Sequence, residues 1–326
     1  MARLRPLPES TPRLLSLSFL ILIGLTFLAL PSSARREQQQ PQVDDDDDEV
    51  VRIDTELVVV NITVVDAAGR YVHGLSKSDF KLLEDGEEQR SISYFGDEET
   101  PFAAAILLDT SGSMERRVAM ARAAAIRFLN GLRAEDVAAV YHFDSKVEQV
   151  QEFNMSRDLA DTAFGLRAKG LTVLYDAIMR AAADISRRPE KRRAIVVLSD
   201  GGDTRSSVSM ETALAAALAA NATIYTVDMS SPAASPVERL KGAAALRTMA
   251  NKSGGRYIAS PGGVALREAF SSVVEELGNQ YTITYKPSNR ARDGRWRAIE
   301  LKLATPNLTA RTRKGYRAPA GGGGNK

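Results

Sequence analysis

Two runs of consecutive apolar residues, Ala103 to Leu108 and Ala194 to Leu198, lead directly into short polar loops that carry aspartates. The loops are Asp109-Thr110-Ser111-Gly112-Ser113 and Ser199-Asp200-Gly201-Gly202-Asp203. Apolar side chains at consecutive rather than alternating positions suit strands covered on both faces, the texture of a parallel sheet. Beyond the first loop, Val118, Ala121, Ala125, Phe128, Leu129 and Leu132 keep the three-four spacing of one helix face. The unit is therefore strand, polar loop, helix. Such a loop sits at the carboxyl end of its strand, where open α/β sheets bind ligands.

The same alternation runs through residues 101–279. A strand is expected over Val137 to Phe143, then a tight turn at Asp144-Ser145 and an antiparallel edge strand from Val147 to Phe153. Helices are expected from about Ser156 to Ala168 and from Leu174, where Ala177, Ile178, Ala181 and Ile185 share a face. After the second polar loop come a helix from Met210 to Ala220 and a strand from Thr223 to Asp228. A helix from Val237 to Lys252, a strand from Arg256 to Ala259 and a helix from Val264 to Leu277 complete the series. Strands alternating with helices predict an α/β fold with a doubly wound, mainly parallel, Rossmann-like sheet.

The flanks read differently. In 50–98, Leu57 to Val65, Phe80 to Glu84 and Ile92 to Phe95 are strand-like and are punctuated by turns at Asp66 to Gly69 and Asp85-Gly86. In 280–318, Tyr281 to Tyr285, Trp296 to Leu303 and Thr309 to Tyr316 are strand-like as well. A stretch of some 45 residues struggles to bury enough surface alone. The two segments are therefore expected to pair into one small sandwich-like β module.

At the N-terminus, Arg3, Arg5 and Arg13 precede the apolar run Leu14 to Leu30, and Ser32-Ser33-Ala34 follows with the small residues of a signal-peptidase site. Residues 1–34 read as a signal peptide or an N-terminal membrane anchor, because the run is near the roughly 17 to 25 residues of a spanning helix. Either form exports the remainder, to the periplasm, the cell surface or the medium. Residues 35–49, with Gln38 to Gln40 and Asp44 to Asp48, form a self-repelling linker, and the glycine-rich 319–326 is a flexible tail. A net charge of +2 gives no reason to expect nucleic acid, and the chain has no cysteine. Disulfides, thiolate metal sites and cysteine nucleophiles are therefore excluded.

In a doubly wound sheet the strands ending at Asp109 and Asp200 meet near the switch point, within reach of one ion. Thr172, in the Gly170-Leu171-Thr172 loop, adds a hydroxyl. Two carboxylates with Ser111, Ser113 and Thr172 offer five oxygen ligands to a hard cation that wants about six. The competing reading has the aspartates capping the helices that follow, although capping does not explain three loops with complementary oxygen donors. A hydrolase using Asp109 as nucleophile would need a second acid where Ser111 stands, and there is no lysine-bearing phosphate loop or nucleophile elbow. His142 lies inside a strand, where a packed histidine is the simpler reading.

These motifs, Asp109-x-Ser111-x-Ser113, Thr172 ahead of Leu174-Tyr175-Asp176-Ala177, and Ser199-Asp200-Gly201, resemble the metal-ion-dependent adhesion site of the von Willebrand factor type A domain. The flanks resemble a bacterial, acidobacterial-type VWFA-related family of exported proteins. Their matching motifs are Gly74-Leu75-Ser76-Lys77-Ser78-Asp79-Phe80, Leu83-Glu84-Asp85-Gly86 and Arg313-Lys314-Gly315-Tyr316. The resemblance implies that Asp109, Ser111, Ser113, Thr172 and Asp200 hold Mg²⁺, with Mn²⁺ or Ca²⁺ as substitutes. An acidic side chain of a partner protein would complete that ion's coordination. Leu171 departs from the second glycine such loops often carry. A non-enzymatic binding module is therefore expected, with Leu171, Asp203, Arg205 and Ser206-Ser207 near the rim and the amino end of a helix starting near Met114 adding positive potential. Asp203 is expected to be a solvated loop carboxylate. Self-association through an acidic residue of a second copy, a Mg²⁺-dependent phosphatase and an envelope scaffold with a purely structural ion remain the alternatives.

Overall fold

The computed structural model describes residues 57–320 apart from 98–99, 116, 161–162, 164–165, 167–169 and 261–262. The expected signal segment and acidic linker lie outside the described residues. The chain order opens with β1 (Val58–Val65), β2 (Phe80–Glu84), β3 (Glu87–Glu88) and β4 (Ile92–Gly96). The central series is β5 (Phe102–Asp109), α1 (Val118–Asn130), β6 (Val137–Phe143), β7 (Val147–Asn154), α2 (Leu174–Ser186), β8 (Arg192–Ser199), α3 (Met210–Ala219), β9 (Ala222–Asp228), α4 (Pro236–Ser253), β10 (Tyr257–Ala259) and α5 (Gly263–Gly278). It closes with β11 (Gln280–Tyr285), β12 (Trp296–Leu303), β13 (Thr309–Arg311) and β14 (Gly315–Arg317).

The central sheet has the order β10-β9-β8-β5-β6-β7, parallel except for the antiparallel edge strand β7. All eight residues of β5 are buried because helices cover both faces. Phe102, Ala104, Ile106 and Leu108 pack with α1 and α5, whereas Ala103, Ala105 and Leu107 pack with α2 and α3. From β5 the chain first builds outward to β6 and β7, then returns through α2 to β8 on the other side. The order reverses between β5 and β8, which places the ends of those two strands at the switch point.

The N- and C-terminal segments share two antiparallel sheets, β13-β1-β11-β4 and β14-β12-β2-β3. Alternating residues Val58, Val60, Ile62 and Val64 of β1 are buried with Phe80, Leu82, Ile283 and Ile299 in a third core, the pattern of facing sheets. This sandwich is keyed to the central domain through Glu276 of α5, which is 1% exposed. Its carboxylate accepts from Tyr225 Oη at 2.9 Å and Thr63 Oγ1 at 3.2 Å, pairs with Arg311, and lies 3.5 Å from Arg256 Nε.

One expected helix, from about Ser156 to Ala168, falls in part on residues outside those described. Residues 156–160, within the span expected to be helical, form an irregular stretch. Leu159 and Ala163 have helical spacing and are both buried. The stretch is fixed by longer-range contacts: Gln151 Oε1 accepts from Ala160 N at 3.0 Å, and the side chain of Arg157 reaches back to donate to Asp136 O at 3.3 Å.

Candidate functional site

Asp109 ends β5 and is fully buried. Its Oδ1 accepts from Ser111 N at 2.9 Å and its Oδ2 accepts from Ser199 Oγ at 2.6 Å. Both partners are neutral, and among the described residues no cation pairs with it. Burial pushes its pKa up to about 6, against the pull of the Ser111 and Ser199 hydrogen bonds, and repulsion from Asp200 adds to the rise. Ser111 Oγ and Ser113 Oγ lie 3.2 Å apart in the same loop.

The second loop is tied to the first by Gly112 N donating to Gly170 O at 3.2 Å. Gly170 has φ +78°, and a Cβ there would meet Ser145 Oγ, so the tight turn needs glycine. Thr172 is fixed from both sides of its peptide: its N donates to Thr204 Oγ1 at 2.8 Å, and its O accepts from Thr204 N and Arg205 N, both at 3.0 Å. The third loop also caps α2. Ser206 Oγ accepts from Tyr175 N at 3.0 Å and Asp176 N at 3.2 Å, and Asp203 Oδ1 accepts from Ser206 Oγ at 2.6 Å. Asp203 is thus a brace for the α2 amino end rather than a solvated loop carboxylate.

Asp200 follows β8, and its Oδ1 accepts from Gly202 N at 3.1 Å. Its position depends on close packing of Gly201 against Gly242 of α4, where a Cβ on either residue would collide with the other's loop or helix backbone. Ser111, Ser113, Thr172 and Asp200 line a cleft of about 520 Å³ together with Leu171 and Asp203. Asp109, bonded to Ser111, is the fifth member of the group. Leu171 stands at the rim, 44% exposed. Arg205, Ser206 and Ser207 do not line the cleft.

The capping alternative does not describe these aspartates. The N-cap of α1 is Arg117, with no side-chain cap, and α3 is capped by Ser209, whose Oγ accepts from Thr212 N at 3.2 Å. The helix expected from about Met114 begins instead at Val118, after a 3₁₀ turn over Gly112–Met114. The loop is therefore followed by a single 3₁₀ turn, too short to present the positive end of a helix macrodipole.

The donor set suits a hard divalent cation: two carboxylates and three hydroxyls, without nitrogen or sulfur. The buried, unpaired charge of Asp109 is the feature such an ion would compensate. Among the described residues no group of three His, Cys, Asp or Glu side chains forms a rival metal cluster. His142 does not line the cleft. Its Nδ1 lies 3.1 Å from Thr110 Oγ1 and its Nε2 lies 3.0 Å from Glu148 Oε2. Ser199, Thr204 and Ser145 are supporting residues that motif reading passes over, because their roles depend on contacts between loops.

A doubly wound sheet with carboxylates and hydroxyls gathered at its switch point defines an α/β domain with a candidate ligand site. Residues 104–202 match the family model of the von Willebrand factor type A domain. Domains of this type are typically non-enzymatic modules of protein interaction or adhesion. No curated protein matches the chain. Among solved structures, the von Willebrand factor type A protein of Catenulispora acidiphila is 14% identical, with 77% of this chain and 76% of that one covered and a TM-score of 0.45. The pilus adhesin SpaC of Lactobacillus rhamnosus GG is 11% identical over 78% of this chain and 49% of its own, with a TM-score of 0.47. The PilB minor pilin of Streptococcus sanguinis is 15% identical over 56% of this chain, with a TM-score of 0.45, and this chain spans only 62% of its length. Among the described residues no helix is long and apolar enough to cross a membrane.

Proposed function

We propose that this chain is an exported, metal-dependent protein-binding module that captures an acidic residue of a partner protein. The observation that carries the reading is Asp109, fully buried, with only neutral donors among the described residues, beneath a cleft lined by Ser111, Ser113, Thr172 and Asp200. Mg²⁺, or Mn²⁺ or Ca²⁺ in its place, would supply a Lewis-acidic position that accepts an anionic oxygen. Asp109 and Asp200 would balance the charge of a divalent ion, so the partner's Asp or Glu would be drawn by an unfilled coordination position rather than by net charge. Ser111, Ser113 and Thr172 would set that position as neutral oxygen donors. Ser199 would hold the Asp109 carboxylate in register, and the Thr204 bonds would do the same for the Thr172 backbone. Leu171, Asp203 and the other cleft walls would select the partner around its carboxylate.

The export reading rests on the Leu14 to Leu30 segment and the small residues ending at Ala34. The test is capture of proteins from a cell-envelope extract by the immobilised chain, in Mg²⁺ and in EDTA. Capture in Mg²⁺ alone, lost in a folded Asp109→Ala/Ser111→Ala variant, is the expected result. Capture that persists in EDTA and in the variant would sink the reading. A second copy of the chain recovered as the captured partner would identify self-association.

A further inference from the structure

A second cleft, of about 830 Å³, lies between α3 and the strands of the sandwich, within the size range of small-molecule sites at roughly 300–1,000 Å³. Leu214 and Leu218 of α3 form one wall, and Trp296 and Tyr316 belong to the other. Arg313, which also lines the cleft, is only 6% exposed. Its Nη1 donates to Leu218 O at 3.1 Å and to Asn221 Oδ1 at 3.2 Å, closing the carboxyl end of α3. Its Nε has no partner, and no hydrogen bond engages Nη2 among the described residues.

The unpartnered edge of this guanidinium is therefore the Nε–Nη2 edge, with Nε closed off from solvent, and its two parallel N–H groups match a carboxylate. Glu84 contributes only at long range, because its Oε2 is taken by Tyr285 Oη at 2.6 Å and Tyr316 Oη at 2.9 Å. Burial without a counter-ion pushes the Arg313 pKa down to about 10, and a buried charge left unpaired is costly. The rim adds Lys252, Lys314 and Arg317 against one acid, Glu211. None of those three cations makes an ion pair among the described residues. An apolar trough with a desolvated guanidinium and a basic rim calls for a ligand that is apolar along its length and anionic at its head.

We propose that this cleft is a second ligand site, independent of the candidate metal loops, that binds a single-chain amphiphilic carboxylate of the fatty-acid class. The head pairs with the Nε–Nη2 edge of Arg313, and the tail lies along Leu214, Leu218 and Trp296.

Trp296 is the one tryptophan in the sequence and is 41% exposed, so its emission reports on this cleft alone. The experiment titrates decanoate, below its micelle concentration, into the full chain in EDTA, which removes any cation-dependent carboxylate capture. Decanol and decyltrimethylammonium serve as neutral and cationic controls. A saturable blue shift with decanoate, at least tenfold weaker with either control, is expected. Arg313→Lys keeps the charge but removes the two-donor edge, and should weaken decanoate at least tenfold. Ala219→Phe, at an exposed position lining the cleft, should block the site while leaving Arg313 in place, and serves as the decisive variant if Arg313→Lys does not fold. An equal response to decanol, no saturable response to decanoate, or full binding retained in folded Ala219→Phe would overturn the proposal.

Discussion

Two buried carboxylates in this chain are treated in opposite ways. Glu276, at the junction of α5 and the sandwich, is compensated by Arg311, with Arg256 close by and hydroxyls from Tyr225 and Thr63 completing its shell. Asp109, at the end of β5, is fully buried yet among the described residues receives neutral donors alone, the Ser111 N–H and the Ser199 hydroxyl foremost. The first satisfies its charge from within the protein and holds two parts of the fold together. The second has a charge that the fold does not match, beside an open cleft lined with further oxygens. The proposed metal site rests on that contrast.

The largest expected effect breaks the first member of the pair. Glu276→Ala strands Arg311 without its carboxylate and should cost about 3–5 kcal/mol, measured by urea unfolding, by the same amount with and without Mg²⁺. Asp109→Asn should act in the other direction. The folded-state pKa of Asp109 is about 6, above the ordinary 3.8, so the folded state holds the proton more tightly than the unfolded chain. The associated stability is complete below about pH 4 and is lost as pH rises through about 6, a change of about 3 kcal/mol. In EDTA the wild type should lose stability over that window, and Asp109→Asn should not, leaving the variant more stable at pH 7. A wild-type curve with no such slope would show that Asp109 is already compensated.

Smaller effects sharpen the comparison. Ser199→Ala removes the buried hydroxyl that orients Asp109 and accepts from Gly201 N, and should weaken Mg²⁺ affinity about tenfold, read by calorimetry, with a loss of about 1–3 kcal/mol in unfolding of the cation-free protein. Leu171→Gly should leave Mg²⁺ affinity within about twofold, because Leu171 lines the rim without donating a ligand atom, while weakening partner capture. If Mg²⁺ affinity fell with Leu171→Gly as steeply as with Ser199→Ala, the rim and the ligand set would not be separable.

Much of this arrangement was legible in the sequence for physical reasons. Strands buried on both faces leave unbroken apolar runs, so β5, β6 and β8 stand out, and the hydroxyl and carboxylate loops follow them directly. The pairing of the N- and C-terminal β segments was also readable, since neither is large enough to form a core alone. The irregular backbone at 156–160 was not readable, because Leu159 and Ala163 have helical spacing and are buried, while the contacts that fix the stretch, Gln151 with Ala160 and Arg157 with Asp136, lie at distances that periodicity does not sample. The true start of α1 was hidden for a similar reason: the polar loop continues into a 3₁₀ turn before Val118. The roles of Asp203 and Ser206 as braces for α2 depend on one loop reaching another. So does the Arg313 edge, which looks like an ordinary basic residue until α3 is placed against it.

The central claim is that Asp109, Ser111, Ser113, Thr172 and Asp200 together hold a divalent cation. Its most direct test is calorimetric titration of Mg²⁺ and Mn²⁺ into the purified chain, beside Asp109→Ala/Ser111→Ala verified as folded by circular dichroism. The account predicts saturable one-to-one binding to the wild type, tightening as pH rises through about 6, and none to the variant. A folded wild type that binds neither ion, or a variant that binds as well as the wild type, would contradict it.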